Sequence, residues 1–514
     1  MKVVSVGQMQ TIEKSADVNG LSYEAMMQNA GSSIAAWVSS NLRVDHGVIG
    51  LIGSGNNGGD TIIALSFLSR RGVRTLGFLA KSRDEDPLIE AYIKSGGSIV
   101  DVSHHENFDM LKGSMLPGTV VLDGILGTGL KLPIRSQFKK VMAEIKQVVE
   151  SQPGVVVVAV DCPSGVDCDT GEASDEAINA KITLSMAAIK QGLLKPPGRL
   201  LAGEFHLMDI GIPDLSEFLS DQVPEMIDNN LTLPLFPDRP DDGHKGTFGT
   251  CLVLAGTQPY TGAAYLVGKA AYKSGCGLVN VATLETVQKA LSGKLIEAVW
   301  TILPEARGSY AVEGVDGLNH VLEQVDSLVI GPGWGLSEGN QQFLDRLLRV
   351  LPEDLPTVFD ADGLKLLGKI KNWWQRVPVN SILTPHPGEM SALTGLDTKE
   401  IQRDRWAFAN RFSKEWQVTL LLKGAVSVIS SPGGMLYLNP ISDSALATAG
   451  SGDVLSGVIG GLLAQGMTTI DSAVLGVWLH SQAGVLAHKA AGTDVSVTAL
   501  DILDHLGMTF ANKK

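Results

Sequence analysis

The sequence predicts an α/β protein of two domains, each a parallel sheet covered by helices. Three observations carry that prediction. Short apolar runs of strand length recur along the chain, separated by stretches long enough for helices, and strands buried on both faces belong to parallel sheets. A turn-rich, acidic segment, Phe236-Pro237-Asp238-Arg239-Pro240-Asp241-Asp242-Gly243, follows Gly211-Ile212-Pro213, and the strand pattern starts afresh beyond it. The 514 residues exceed what one ordinary domain holds. The break lies near 212–242, which implies a first domain over 1–220, a linker over 221–242 and a second domain over 243–514.

In the first half, residues 8–40 read as helical with an interruption at Asn19-Gly20. Strands are expected at Val48 to Gly53, Val73 to Leu79, Thr119 to Leu122, Val155 to Val160, Lys181 to Ser185 and Glu204 to Met208, with a helix from about Asp60 to Arg71. In the second half, strands are expected at Thr250 to Ala255, Ser327 to Ile330, Thr357 to Asp360, Ser381 to Thr384, Thr419 to Leu422 and Ser427 to Ser430. A helix over Ala263 to Ser274 follows the first of these, ended by Gly275.

Composition narrows the function. With 44% apolar and 19% charged residues the chain is globular, and its net charge of −14 argues against a nucleic-acid surface. No apolar run approaches the roughly 20 residues of a membrane span, and Met1-Lys2-Val3-Val4-Ser5 does not open a secretory signal. Cys162, Cys168, Cys251 and Cys276 form no CxxC pair and read as reduced, buried thiols of a cytoplasmic protein.

The loop Gly53-Ser54-Gly55-Asn56-Asn57-Gly58-Gly59-Asp60 joins a strand to a helix and contains G-x-G-x-x-G, with acids further on at Asp84 and Glu85. That suggests a dinucleotide-binding dehydrogenase. Two points oppose it. Asp60 in the first helical turn would repel a pyrophosphate, and two Asn side chains crowd a turn that should be featureless. Two further strands deliver acids to the same edge: Asp123, before Gly127-Thr128-Gly129, and Asp161, before Cys162-Pro163-Ser164. Ligands of open parallel sheets bind beyond the carboxyl ends of strands, so Asn57, Asp123, Asp161 and Ser164 should converge on one crevice. Its oxygen-rich character suits a small molecule and an all-oxygen cation site.

In the second half, Thr448-Ala449-Gly450-Ser451-Gly452-Asp453 opens an apolar helix. Glycines let the backbone approach an anion, and the N–H groups of a helix start stabilise charge on a transferring phosphoryl group. Asp453 there suits a base that takes a proton from an attacking hydroxyl. Gly331-Pro332-Gly333-Trp334-Gly335, Asp360-Ala361-Asp362-Gly363, Thr384-Pro385-His386-Pro387-Gly388-Glu389 and Leu422-Lys423-Gly424-Ala425 each follow an expected strand. Lys423 could pair with nucleotide phosphates, and His386, held between prolines, with a ligand. Trp373-Trp374 and Met26-Met27 read as packing residues.

Gly-Ser-Gly-Asp, Lys-Gly-Ala and His-Pro-Gly-Glu together resemble the ribokinase-like superfamily. With His244-Lys245-Gly246 and Tyr260-Thr261-Gly262-Ala263-Ala264, the second half is similar to nucleotide-dependent NAD(P)H-hydrate dehydratases. The Asn56 to Asp60 run, Asp123 with Gly127 to Gly129, and Asp161 to Asp167 resemble the NAD(P)H-hydrate epimerases. The whole chain thus resembles a fused hydrate-repair family. That resemblance implies a Rossmann-like αβα sandwich followed by a ribokinase-like αβα sandwich. It implies substrates NADHX and NADPHX, the hydrates of NADH and NADPH, whose R and S forms are interconverted by the first half. The second half would dehydrate the S form at the expense of ADP or ATP, with magnesium accompanying the nucleotide. A homo-oligomer is expected. The alternative is a ribokinase-like small-molecule kinase fused to a non-catalytic binding or docking domain.

Carried over by motif, Asn56, Asn57, Gly58, Gly59, Asp60, Gly127, Thr128, Gly129, Leu130, Lys131, Leu132, Pro133 and Asp161 would contact the hydrate in the first half. Asp161 is its candidate acid/base, and Asn57, Asp123 and Ser164 would hold potassium. In the second half Ala264, Gly333, His386 and Asp453 would contact the hydrate, with Asp453 catalytic. Lys423, Gly424, Ala425, Val426 and Ser427, with Thr448, Ala449, Gly450, Ser451 and Gly452, would contact the nucleotide. The first half departs from the family pattern at Thr61, where Gly is usual, at Ser54, where Pro is common, and at Gly124-Ile125, where Ala-Leu is more usual.

Overall fold

The computed structural model describes residues 1–83, 85–103, 107–219 and 222–511; Asp84 of the acidic pair lies outside them. The chain divides into two compact units, Met1–Val223 and Pro224–Lys514.

The first unit is built on a seven-stranded sheet in the order Ser98–Asp101, Thr75–Leu79, Val48–Ile52, Val120–Gly124, Val156–Val160, Ile182–Met186, Glu204–Met208. Every pairing in it is parallel. Alternate residues of each strand face opposite cores. Val48, Ile52, Val120, Leu122, Val158 and Val160 pack with helices Val6–Val18, Tyr23–Asn41 and Asn56–Arg70. Ile49, Leu51, Val121, Val157 and Ala159 pack with Phe108–Ser114 and Ser136–Glu150. Strand order reverses between Val48–Ile52 and Val120–Gly124, and the crevice beyond a reversal is where such sheets bind ligands.

Two local expectations change. The third helix begins at Asn56 with Gly55 as its N-cap, so Asp60 is not in the first turn, and the argument from repulsion at the helix start falls away. Asp123 lies inside its strand rather than after it.

The second unit has a ten-stranded sheet in the order Glu225–Met226, Leu436–Asn439, Ser427–Ser430, Thr419–Leu422, Ser381–Leu383, Thr357–Phe359, Ser327–Ile330, Thr250–Leu254, Leu278–Leu284, Val299–Leu303. It is not wholly parallel: Thr419–Leu422, Ser427–Ser430 and Leu436–Asn439 form an antiparallel meander, because the short turn at 423–426 cannot hold a crossover. The segment expected as a linker contributes to this unit through the Glu225–Met226 edge strand and through Phe236, which stacks edge-on against Phe510.

Helix Ser451–Ala464 is buried almost all round. Its glycines permit this. A Cβ on Gly457 would lie 2.3 Å from Val267 O, on Gly460 2.3 Å from Val329 Cγ2, and on Gly461 2.1 Å from Ser274 Oγ. Backbone contact with the neighbouring helix and the sheet holds the turn at 450–453 rigidly at the sheet edge.

Candidate functional site

In the first unit the polar groups named from sequence gather at the strand-order reversal. Ser164 Oγ donates to Asp123 Oδ1 at 2.6 Å, and Ser164 N donates to Asp123 Oδ2 at 2.8 Å. Leu126 N donates to Ser164 Oγ at 2.9 Å, and Asn57 Nδ2 to Leu126 O at 2.9 Å. Asp123 is fully buried, and among the described residues no cationic side chain pairs with it. Burial pushes its carboxyl up to about 6, against the pull of its bonds from Ser164 and Ile125. The Asn57 amide oxygen has no described partner. A buried carboxylate without a counter-charge, ringed by hydroxyl, amide and carbonyl oxygens, suits a hard cation of low charge.

The Gly53–Asp60 turn is clamped from behind. Arg83 Nη1 donates to Gly53 O at 2.8 Å and Gly55 O at 3.0 Å, while Arg83 Nε pairs with Asp86. A Cβ on Gly58 would sit 2.1 Å from Gly53 O, one on Gly59 2.9 Å from Met27 Sδ, and one on Gly127 3.1 Å from Asn57 Cβ. Gly58 and Gly59 let the 53–60 segment fold tightly on itself and against Met27, and Gly127 lets the 125–130 loop approach Asn57.

Two departures from the family pattern explain each other. A Cβ on Gly124 would lie 1.9 Å from Thr61 Oγ1, and that hydroxyl donates to Asn57 O at 2.9 Å. Thr61 fills the space that a side chain at 124 would take.

Asp161 follows its strand with φ +64, a left-handed conformation that costs a non-glycine residue about 1–3 kcal/mol and is kept where it aims a functional side chain. Its Oδ1 accepts from Met186 N at 2.9 Å and from Lys190 Nζ at 2.5 Å. Lys190 is 1% exposed, donates also to Met186 O, and lies on a short strand, Ile189–Lys190, paired with Val3–Val4. The sequence reading missed it: a lone Lys before Gln-Gly-Leu-Leu bears no motif, and its partner is 29 residues away. Cys162 and Cys168 are buried nearby as free thiols, as expected.

In the second unit the turn Thr448–Asp453 opens its helix with Gly450 at φ +87. Ser451 N is bonded to Thr448 O, but the N–H groups of Gly450, Gly452 and Asp453 donate to no described atom. Three donors at a helix start are thus available to an anion. Burial, aided by repulsion from Asp360, lifts the Asp453 carboxyl to about 7, against the pull of Lys423. A group with that affinity can take and release a proton near neutrality.

Lys423 Nζ bonds Asp360 Oδ1 at 2.8 Å and lies 3.7 Å from Glu389 Oε2. Burial alone would lower its affinity for a proton; the Asp360 and Glu389 carboxylates raise it instead, so it stays charged. Ser456 Oγ donates to Asp360 Oδ2 and approaches Gly452 O at 3.0 Å. Asp360 therefore ties the lysine turn to the 448–453 turn. In the sequence Asp360 reads only as part of a motif after a strand, and Ser456 only as one residue of the helix that follows the turn. His480, buried and lowered to about 4 by desolvation, backs Ser451 at 3.3 Å.

The 423–426 turn leaves the N–H groups of Gly424, Ala425 and Val426 without described acceptors. Its carbonyl side is held by Arg405, whose Nη2 donates to Leu422 O at 2.9 Å and Val426 O at 3.2 Å. His386 proves to be an N-cap: its Nδ1 accepts from Gly388 N and Glu389 N, and its half-exposed ring faces Glu389 through Nε2. Gly333 lies against Tyr260 and Ala263, and the methyl of Ala264 is buried against Gly256. Trp373 packs edge-on against Trp374 and Trp416, as expected of a core residue.

Comparison with known proteins covers both units. A model of the YjeF-related protein N-terminus matches residues 23–192, and one described as NAD(P)H-hydrate dehydratase matches residues 251–507. The bifunctional NAD(P)H-hydrate repair enzyme Nnr of Moorella thermoacetica is 34% identical over 95% of this chain and 92% of its own. This chain belongs to the bifunctional NAD(P)H-hydrate repair enzyme family. The Escherichia coli member is 31% identical over 93% of this chain and 88% of its own. Among solved structures, a ribokinase-like superfamily protein from Enterococcus faecalis is 26% identical, with a TM-score of 0.50, over 57% of this chain and 98% of that one. The family assignment makes the first unit an NAD(P)H-hydrate epimerase and the second an NAD(P)H-hydrate dehydratase. Among the described residues no helix is long and apolar enough to cross a membrane.

Proposed function

We propose that the dehydratase unit transfers a phosphoryl group from ADP, or from ATP, to the ring hydroxyl of the S hydrate, and that the phosphate then leaves with the oxygen. Hydroxide is a poor leaving group; its phosphate ester is a good one, and the ring nitrogen expels it. Asp453 takes the hydroxyl proton, and the unengaged N–H groups of Gly450, Gly452 and Asp453 hold the charge that develops on the transferring group. Lys423 and the N–H groups of the Gly424–Val426 turn hold the nucleotide phosphates. Magnesium would accompany the nucleotide phosphates beside Lys423 and the Gly424–Val426 turn and offset the charge that develops on the transferring group. The observation that carries this reading is a carboxyl poised near neutrality in the same turn as three open N–H donors.

In the epimerase unit Asp161 does proton chemistry, and Asn57, Asp123 and Ser164 bind potassium. That ion would supply the counter-charge that buried Asp123 lacks and would fix the 126–130 loop beside the substrate.

The test is direct. The protein is mixed with hydrated NADH and ADP or ATP, and the return of reduced-nicotinamide absorbance is followed. With R hydrate alone as substrate, recovery requires both units. Release of a stable phosphorylated product in place of NADH and inorganic phosphate would refute the dehydration step.

A further inference from the structure

Among the described residues, Lys190 and the carboxyl groups of Glu13, Asp60 and Asp161 lie close enough to act on one another electrostatically. Lys190 comes from Ile189–Lys190, Glu13 from helix Val6–Val18, Asp60 from helix Asn56–Arg70, and Asp161 from the end of Val156–Val160. The ammonium of Lys190 is committed: it bonds Asp161 Oδ1 at 2.5 Å and Met186 O at 2.9 Å. Asp161 Oδ1 also accepts from Met186 N, while its Oδ2 has no described partner. Asp60 is half-buried and makes no hydrogen bond or ion pair with any described residue. Its backbone continues the Asn56–Gly59 turn within helix Asn56–Arg70, and its carboxyl lies within reach of the charges of Asp161, Glu13 and Lys190.

We propose that Asp60 is the proton donor of the epimerase reaction and that Asp161, held by Lys190, is the proton acceptor. It rests on the epimerase assignment of this unit. The charge balance supports it. With the one lysine spent on Asp161, a second ionised carboxylate beside it would stand unpaired. Desolvation, then repulsion from Asp161 and Glu13, holds the Asp60 carboxyl well above the usual carboxylate range. Glu13 is raised as well, by burial and by Asp161 against Lys190. Lys190 pairs with the Asp161 side chain, and no described cation does the same for Asp60.

The step balances. The Asp60 O–H proton passes to the hydroxyl oxygen on the carbon beside the ring nitrogen. The C–O bond breaks, water departs, and the nitrogen lone pair forms a C=N bond. A water then adds to the opposite face, its proton goes to Asp161, and the C=N pair returns to nitrogen. Transfer of that proton to Asp60 through solvent restores the start. One water leaves and one enters; nothing is oxidised or reduced.

The experiment uses the full-length protein with R hydrate in oxygen-18 water and no nucleotide, which keeps the dehydratase silent. Each inversion by the wild type should place one solvent oxygen in the product. Asp60→Asn should slow inversion by about 10²–10⁴-fold, the usual worth of a general acid. Its thermal midpoint should not fall, because the exchange breaks no hydrogen bond. Asp60→Glu, which keeps an acid, should retain more activity than Asp60→Asn. Unlabelled inverted product, an Asp60→Asn rate within a few fold of wild type, or equal losses in the two variants would each overturn the proposal. A wild-type protein that leaves the R hydrate unchanged would instead overturn the epimerase assignment beneath it.

Discussion

Replacing Asp453 with Asn should abolish dehydration and at the same time stabilise the unit that carries it. The carboxyl binds its proton up to about 7 in the folded protein, against 3.8 for an ordinary aspartate, because it is buried beside Asp360. Well below pH 3.8, folded and unfolded chains both hold that proton and the group costs nothing. As pH rises from there toward 7 the folded state binds more protons than the unfolded one, so stability falls. Above about 7 the cost is complete: about three pH units at 1.36 kcal/mol each, or about 4 kcal/mol. Asn, uncharged at every pH, removes it. Asp453→Asn should therefore raise the unfolding free energy of the second unit by up to about 4 kcal/mol at pH 8 and by far less at pH 4. Urea denaturation followed by tryptophan fluorescence reads this unit, since every tryptophan except Trp37 lies in it. The same variant should lose about 10²–10⁴-fold in nucleotide-dependent turnover, with epimerisation intact. In the wild type, dehydratase kcat/KM should rise with pH through about 7 as the base form appears. A variant no more stable than wild type at pH 8, or equally stabilised at pH 4, would refute the strained-carboxylate account.

Three further outcomes test other parts of the structure. Gly124→Ala should destabilise the epimerase unit by about 1–3 kcal/mol through its clash with Thr61, and adding Thr61→Gly should recover much of the loss, measured as a double-mutant cycle in urea. Gly424→Ala would place a Cβ 2.3 Å from Arg405 Nη1, and Arg405→Gln would release Leu422 O and Val426 O; both should raise the dehydratase KM for nucleotide about tenfold or more without changing the epimerase rate. Ser164→Ala removes the 2.6 Å bond to Asp123 and should shift the potassium concentration needed for epimerisation upward, read by titrating potassium chloride against N-methylglucamine chloride. Identical potassium curves for the two proteins would dissociate Ser164 from ion binding.

Much of this molecule is legible from consecutive residues. Glu204–Met208 and Ser427–Ser430 fall where expected, and so do Ser327–Ile330 and Thr419–Leu422, whose apolar runs are buried along their whole length. The glycine turns at 53–60 and 448–453 are legible for the same local reason: close backbone approach and open N–H groups demand glycine at set spacings. The paired change at Thr61 and Gly124 was visible as two oddities, but only their contact across the loop makes them one.

What the sequence by itself determined is therefore the inventory: two α/β units, two glycine turns, and the acids that follow particular strands. Tertiary structure decided how those acids behave. Lys190 reaches Asp161 across 29 positions, Lys423 reaches Asp360 across 63, and Ser456 reaches Asp360 across 96. A carboxyl's proton affinity depends on burial and on which charges stand within a few ångströms, and neither is a property of neighbouring letters. Asp453, Asp60 and Asp161 are alike in the sequence; burial raises the proton affinity of the first two, while the third is bonded to Lys190.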